Sequence, residues 1–161
     1  MIELVNISKS YPTNELYSGL DLRLNAGNKV GLVGRNGSGK STLFKLILGE
    51  EQPDSGEIAL PKNYKIGALK QYFDFTQNSL IDETALALGE DDKYNIYKAE
   101  KILFGLGFSQ EDLEKAPKEF SGGYQIRINL AKLLLTEPNM LLLDEPTNYL
   151  DILSIRWLKA F

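Results

Sequence analysis

Residues Gly34 to Thr42 read Gly-Arg-Asn-Gly-Ser-Gly-Lys-Ser-Thr, so that Gly34 is followed after four residues by Gly39-Lys40-Ser41. The apolar run Lys29-Val30-Gly31-Leu32-Val33 precedes it as a buried strand would, and Leu43, Leu46 and Ile47 follow at helical spacing. Glycines at a strand-to-helix turn let backbone N–H groups close around phosphate oxygens, at a helix N-terminus that carries partial positive charge. Lys40 adds a full charge beside the outer phosphates, and the Ser41 hydroxyl suits a magnesium ion. The stretch predicts a nucleotide-phosphate cradle built from Gly34, Asn36, Gly37, Ser38, Gly39, Lys40, Ser41 and Thr42. A glycine loop that merely ends a buried strand accounts for neither the full pattern nor its flanks.

The rest of the composition narrows the chemistry. The 161 residues, 43% hydrophobic and 25% charged, are enough for one globular domain with a sizeable core. A net charge of -4 argues against a strongly basic surface that grips nucleic acid, without excluding a local basic patch. With no cysteine and no histidine, disulfides, zinc fingers and thiol or imidazole catalysis are all excluded. Carboxylates, lysine, hydroxyls and a metal must do the work. The N-terminus Met-Ile-Glu-Leu-Val-Asn lacks the pattern of a signal peptide, and no apolar run reaches membrane-spanning length, so a cytoplasmic protein with no membrane insertion is expected.

Along the chain, Ile2 to Ile7 and Leu16 to Leu24 alternate as strands with one covered face, joined by the turn Tyr11-Pro12-Thr13-Asn14. After the cradle and its helix, Pro53-Asp54-Ser55-Gly56 turns the chain into strand-like runs at Glu57 to Leu60 and Lys65 to Leu69. From about Ser79 the pattern is helical, with Ser109 capping one segment and Glu90-Asp91-Asp92 reading as a solvated helix start. Ser121-Gly122-Gly123 opens the longest helix, with Ile126, Leu130, Leu133 and Leu134 on one face. Met140 to Leu143 is an apolar strand stopping on Asp144-Glu145-Pro146, and Asp151 caps a final amphipathic helix.

A strand ending in adjacent carboxylates is the expected companion of a phosphate loop, because α/β proteins gather ligand groups at strand carboxyl ends. Asp144 would hold magnesium through water, and Glu145 would orient and polarise an attacking water. Gln71, just past a strand, has an amide suited to both the metal and that water. No guanine-reading Asn-Lys-x-Asp is present, which favours ATP over GTP. Tyr11, in a turn upstream of the cradle, can stack on adenine, or it can be a turn tyrosine with no ligand.

Ser121-Gly122-Gly123-Tyr124-Gln125 before the apolar strand, and Asp144-Glu145-Pro146-Thr147-Asn148-Tyr149-Leu150-Asp151 after it, resemble the ATPase domain of the ABC superfamily. The resemblance covers nearly the whole chain. Tyr11 matches the adenine-stacking loop, Gly34 to Thr42 the Walker A motif, Gln71 the Q-loop, Ser121 to Gln125 the signature, Asp144 and Glu145 the Walker B pair, and Asp151 the D-loop. Glu-Pro-Thr-Asn-Tyr-Leu-Asp is closest in form to the Glu-Pro-Thr-Asn-His-Leu-Asp typical of ABC-F proteins, with Tyr149 in place of their histidine. The aromatic Tyr124 in the signature points the same way.

The resemblance implies an α/β P-loop fold with a mostly parallel core sheet, an antiparallel β edge and a helical subdomain. It makes residues 1–161 a single ATP-binding domain incomplete at its C-terminus, with 1–75 and 120–161 as core and about 76–119 helical. ATP and Mg2+ are the implied cofactors. Glu145, Gln71 and Lys40 act on the reaction, Ser41, Gln71 and Asp144 serve the metal, and Tyr11, the cradle, Ser121, Gly122, Gly123 and Asp151 bind nucleotide. Ser121 and Gly123 would bind a γ-phosphate held by a second ABC domain, on the same chain or in a head-to-tail dimer. The family's switch histidine would lie beyond Phe161, so this length of chain is expected to bind ATP and hydrolyse it poorly. An ABC-F protein implies the ribosome or RNA as partner, although the stretch from Tyr72 to Glu119 is short for the helical arm of a first ABC-F domain. The alternative is the ATP-binding subunit of a membrane transporter.

Overall fold

Alternation puts Ile2 and Leu4 on one face of strand β1 (Ile2–Tyr11), where both are buried. Asn6 then takes a positive φ of 50°, the pairing register shifts, and the buried phase resumes at Ile7. Strand β2 (Asn14–Leu24) returns antiparallel through the two-residue turn Pro12-Thr13, with Ile2 opposite Leu24 and Tyr11 opposite Asn14. Strand β3 (Ser55–Ala59) pairs antiparallel on the other side of β1, giving the order β2-β1-β3. This is the antiparallel edge expected from the sequence. Helix α1 (Lys40–Leu48) buries Leu43, Leu46 and Ile47 and ends at Gly49, whose N–H bonds back to the Leu46 carbonyl.

The computed structural model describes residues 1–69 and 74–160, which fall into two units, Met1–Ile66 and Gly67–Phe161. The elements above make up the first unit. In one respect it departs from the sequence reading. Residues 29–33 carry no strand assignment, and Val30 and Val33 are 65% and 94% exposed. An apolar run becomes a buried strand only when neighbouring strands take up its N–H and C=O groups, and no described strand pairs with this one.

In the second unit, β4 (Ile66–Ala68, starting at the unit boundary) pairs with β5 (Met140–Leu142) in a two-stranded sheet. Helices α2 (Leu80–Ala85), α3 (Ile96–Gly105), α4 (Gly122–Leu135) and α5 (Ile152–Ala160) surround a core that includes Leu80, Leu103, Leu106, Ile128, Leu130 and Leu134. The face of α4 is rotated from the expected one. Leu130 and Leu134 are buried as anticipated, whereas Ile126 and Leu133 are half-buried and Arg127 and Ile128 are inside.

Caps fix these helices. The Ser79 hydroxyl accepts the Asp82 N–H at the start of α2. Before a short 3-10 turn at Gln110–Asp112, Ser109 and Asp112 form a reciprocal capping box. Glu83, fully buried, accepts N–H bonds from Thr76 (2.8 Å) and Gln77 (2.9 Å) and an ion pair from Lys132 of α4. Burial pushes its carboxyl up, but those three donors together outweigh it and hold the group below its ordinary value.

Candidate nucleotide site

The loop at residues 34–39 winds into α1 through Gly37 and Gly39, whose φ values are +79° and +94°. That left-handed conformation costs a glycine little and turns successive backbone groups inward. Lys40 Nζ donates to the carbonyls of Gly34 (2.9 Å) and Arg35 (3.0 Å), so the ammonium is held within its own loop. Ser38 N–H closes the turn onto the Arg35 carbonyl. Asn36 and Ser41 are exposed, and Thr42 is half-buried on the first turn of α1.

A residue the sequence reading missed holds this loop. The Tyr17 hydroxyl, on β2, donates to the Gly39 carbonyl at 2.8 Å, and a Cβ added at Gly39 would meet that oxygen at 2.8 Å. Burial pushes the Tyr17 phenol up, so it stays a donor at ordinary pH. Nothing in the local pattern signals a contact between residues 22 positions apart.

Tyr11 closes β1 and is 42% exposed, and its hydroxyl donates to Glu51 at 2.6 Å while Lys9 also bridges to Glu51. The Tyr11 hydrogen bond, followed by that of Lys9, holds the Glu51 carboxyl below its ordinary value. The ring stays partly open to solvent with its polar end already committed.

The remaining candidates belong to the second unit. Strand β5 delivers Asp144 and Glu145, both exposed, to its carboxyl end. Glu145 has φ +45°, unusual for a residue with a side chain, and its Oε2 accepts from Asn148 Nδ2 at 2.7 Å. Gly122 begins α4, and Ser121 stands at its N-cap without a side-chain cap bond, which removes the simple capping role as an explanation of that serine.

Asp151 takes the capping position expected of it before α5. Its Oδ1 accepts the Ser154 N–H at 2.8 Å and its Oδ2 accepts from Arg127 Nη1 at 3.1 Å. The Ser154 bond foremost, with the Arg127 charge, holds its carboxyl below the ordinary value.

Arg127 was not legible as a site residue. From the buried side of α4 it donates to the carbonyls of Tyr149 (2.8 Å) and Leu106 (3.1 Å) and lies 4.7 Å from the Tyr124 ring centre. It thereby ties α4, which follows Ser121, to the loop that follows Glu145. The Tyr149 phenol is pushed up to about 12, by burial first and then by the charge of Asp144. Gln71 lies outside the described residues.

Hydroxyl, carboxylate and amide oxygens at Ser41, Asp144 and Gln71 are hard donors that fit Mg2+ better than a softer metal. Among the described residues no group of three or more Asp and Glu gathers to hold a metal by protein ligands alone, and none of their helices is long and apolar enough to cross a membrane.

A family model described as ABC transporter matches residues 17–148. The Energy-dependent translational throttle protein EttA of Escherichia coli (strain K12) is 41% identical over 99% of this chain and 29% of its own length. ABC transporter F family member 5 of Arabidopsis thaliana is 32% identical over 99% of this chain and 30% of its own. The chain thus spans about 30% of the length of such curated relatives. A solved ATP binding subunit of an ABC transporter superposes with a TM-score of 0.77 at 25% identity, over 98% of this chain and 71% of that one.

Proposed function

The chain belongs to the ABC transporter family, and from that premise we propose that it is the ATP-binding domain of a cytoplasmic ABC-F type ATPase acting on the ribosome. Residues 1–75 and 120–161 form its core and about 76–119 its helical subdomain. The observation that carries the ATP reading is the glycine loop that closes on Lys40 at the N-terminus of α1. The ABC-F reading rests on 41% identity to a protein named as a translational throttle, against 25% to the transporter subunit.

In this mechanism the loop amides and Lys40 cradle the β- and γ-phosphates, exchanging the Gly34 and Arg35 carbonyls for phosphate oxygens at Lys40 Nζ. Ser41, Asp144 and Gln71 would hold Mg2+, which would supply positive charge against the phosphates. Glu145 accepts a proton from the attacking water. Ser121 and Gly123, at an uncapped helix start, form an anion site with no phosphate of its own, suited to the γ-phosphate of a second ABC domain placed head to tail. ATP then holds two domains together and its hydrolysis releases them.

Titrating a fluorescent ATP analogue tests the cradle. Lys40→Ala should weaken binding by at least tenfold, and unchanged affinity sinks the assignment. Hydrolysis by the 161-residue chain, compared with that of a longer protein carrying the second domain, tests whether this length turns ATP over poorly; equal rates speak against it.

A further inference from the structure

Glu145 sits where the chain leaves β5, in the left-handed region (φ +45°, ψ +51°), immediately before a 3-10 turn at Pro146–Asn148. A residue with a Cβ is strained there and needs surrounding contacts to keep it. Asn148 supplies two of them. Its backbone N–H donates to the Glu145 carbonyl at 3.0 Å, and its side-chain Nδ2 donates to Glu145 Oε2 at 2.7 Å. The Glu145 carboxylate does not cap the turn itself, so its side chain is committed to Asn148 and not to backbone.

We infer that Asn148 is the positioning residue of the proposed hydrolytic base: it fixes the rotation of the Glu145 carboxylate through Oε2 and leaves Oε1 to take the proton of the attacking water. The inference rests on the reading of Glu145 as that base. Geometry supplies the reason. A free carboxylate at the protein surface rotates among several orientations, whereas a bond to one oxygen and a backbone bond from the same residue restrict it to a narrow range. Asparagine suits the role because its amide donates without charge. An aspartate at the same place sets a second carboxylate against the first, and alanine donates nothing. Asn148 touches neither water nor phosphate in this scheme and acts only through Glu145.

The test uses the full-length protein with Asn148→Ala, Asn148→Asp, Glu145→Gln and the double variant Asn148→Ala/Glu145→Gln. Asn148→Ala should lower kcat for ATP on the order of tenfold with KM and equilibrium ATP affinity within about twofold, and Asn148→Asp should lower it further. In the Glu145→Gln background, adding Asn148→Ala should cost nothing more, because the group it positions is gone. A readout independent of turnover is the side-chain amide resonance of Asn148 in nucleotide-free protein, which should move in Glu145→Ala. Three results overturn the inference: an equal fold-loss from Asn148→Ala in both backgrounds, a change confined to KM, or an Asn148 amide signal indifferent to Glu145→Ala. If Glu145→Gln itself leaves hydrolysis intact, the base assignment falls and the inference falls with it, an outcome recognisable from that single variant.

Discussion

Two polar side chains hold the phosphate loop at the scale of single residues. Lys40 ties its start through the Gly34 and Arg35 carbonyls, and Tyr17 ties its end through the Gly39 carbonyl. The Lys40 bonds must be exchanged when phosphate arrives, but the Tyr17 bond can persist and keep the amides after Gly39 in place. Because that bond is made with and without phosphate, Tyr17→Phe removes about 1 kcal/mol from the folded state, so the unfolding midpoint should fall by about 2–8 °C while ATP affinity changes by less than about twofold. A thermal melt beside a fluorescent-nucleotide titration checks this, and an unmoved midpoint refutes the role. Arg127 has a different weight. It is largely buried and holds two carbonyls and Asp151, so Arg127→Met should destabilise the protein by about 2–4 kcal/mol in urea titration.

The elements of the second unit are joined by polar links as well as by their apolar core. Glu83 on α2 pins the Thr76 and Gln77 amides and pairs with Lys132 on α4. Replacing it with alanine leaves two amides and an ammonium without their acceptor, and should cost about 3 kcal/mol of unfolding free energy, measured in urea. The Asp112 carboxyl is pushed down to about 2, first by Lys115 and then by Ser109. A carboxyl depressed in the folded state adds stability above its unfolded value of 3.8 and loses it as pH falls toward about 2. Between those values the pH slope of stability should therefore be shallower in Asp112→Asn. Helices α3 and α5 meet where a Cβ on Gly105 would come within 2.0 Å of the Trp157 ring. Trp157 is the chain's single tryptophan, so Gly105→Ala should shift its fluorescence to longer wavelength as the ring is displaced. An unmoved spectrum contradicts that contact.

For the molecule as a whole, the contrast between residues 29–33 and β1 is the measurable one. Val30 and Val33 are mostly exposed while Ile2 and Ile7 are fully buried. Amide exchange on the 161-residue chain should run at least tenfold faster at 29–33 than in β1, and equal protection would mean the run is paired. Much of the architecture was legible beforehand because it is local. Period-two alternation marked β1 and β2, Ser109 and Asp151 announced their caps, and the glycines with Lys40 and Ser41 marked the loop. Rotation of the α4 face was not legible, since leucines at 130, 133 and 134 fit more than one helical stripe and the packing of α3, α2 and the 3-10 turn at Pro117–Glu119 against α4 chooses between them.

By itself the sequence determined which backbone conformations and chemical groups are present: the glycine turn before α1, the carboxylates after β5, the caps and the absence of histidine and cysteine. Those follow from steric freedom and side-chain chemistry, which act over a few residues. Tertiary structure alone decided that Tyr17 holds Gly39, that Arg127 is buried against the Asp151 loop, that Glu83 pairs with Lys132, and that the apolar run at 29–33 stays exposed. Each depends on segments far apart in the chain meeting, or failing to meet, and burial and hydrogen bonding act on that proximity, which local sequence does not encode.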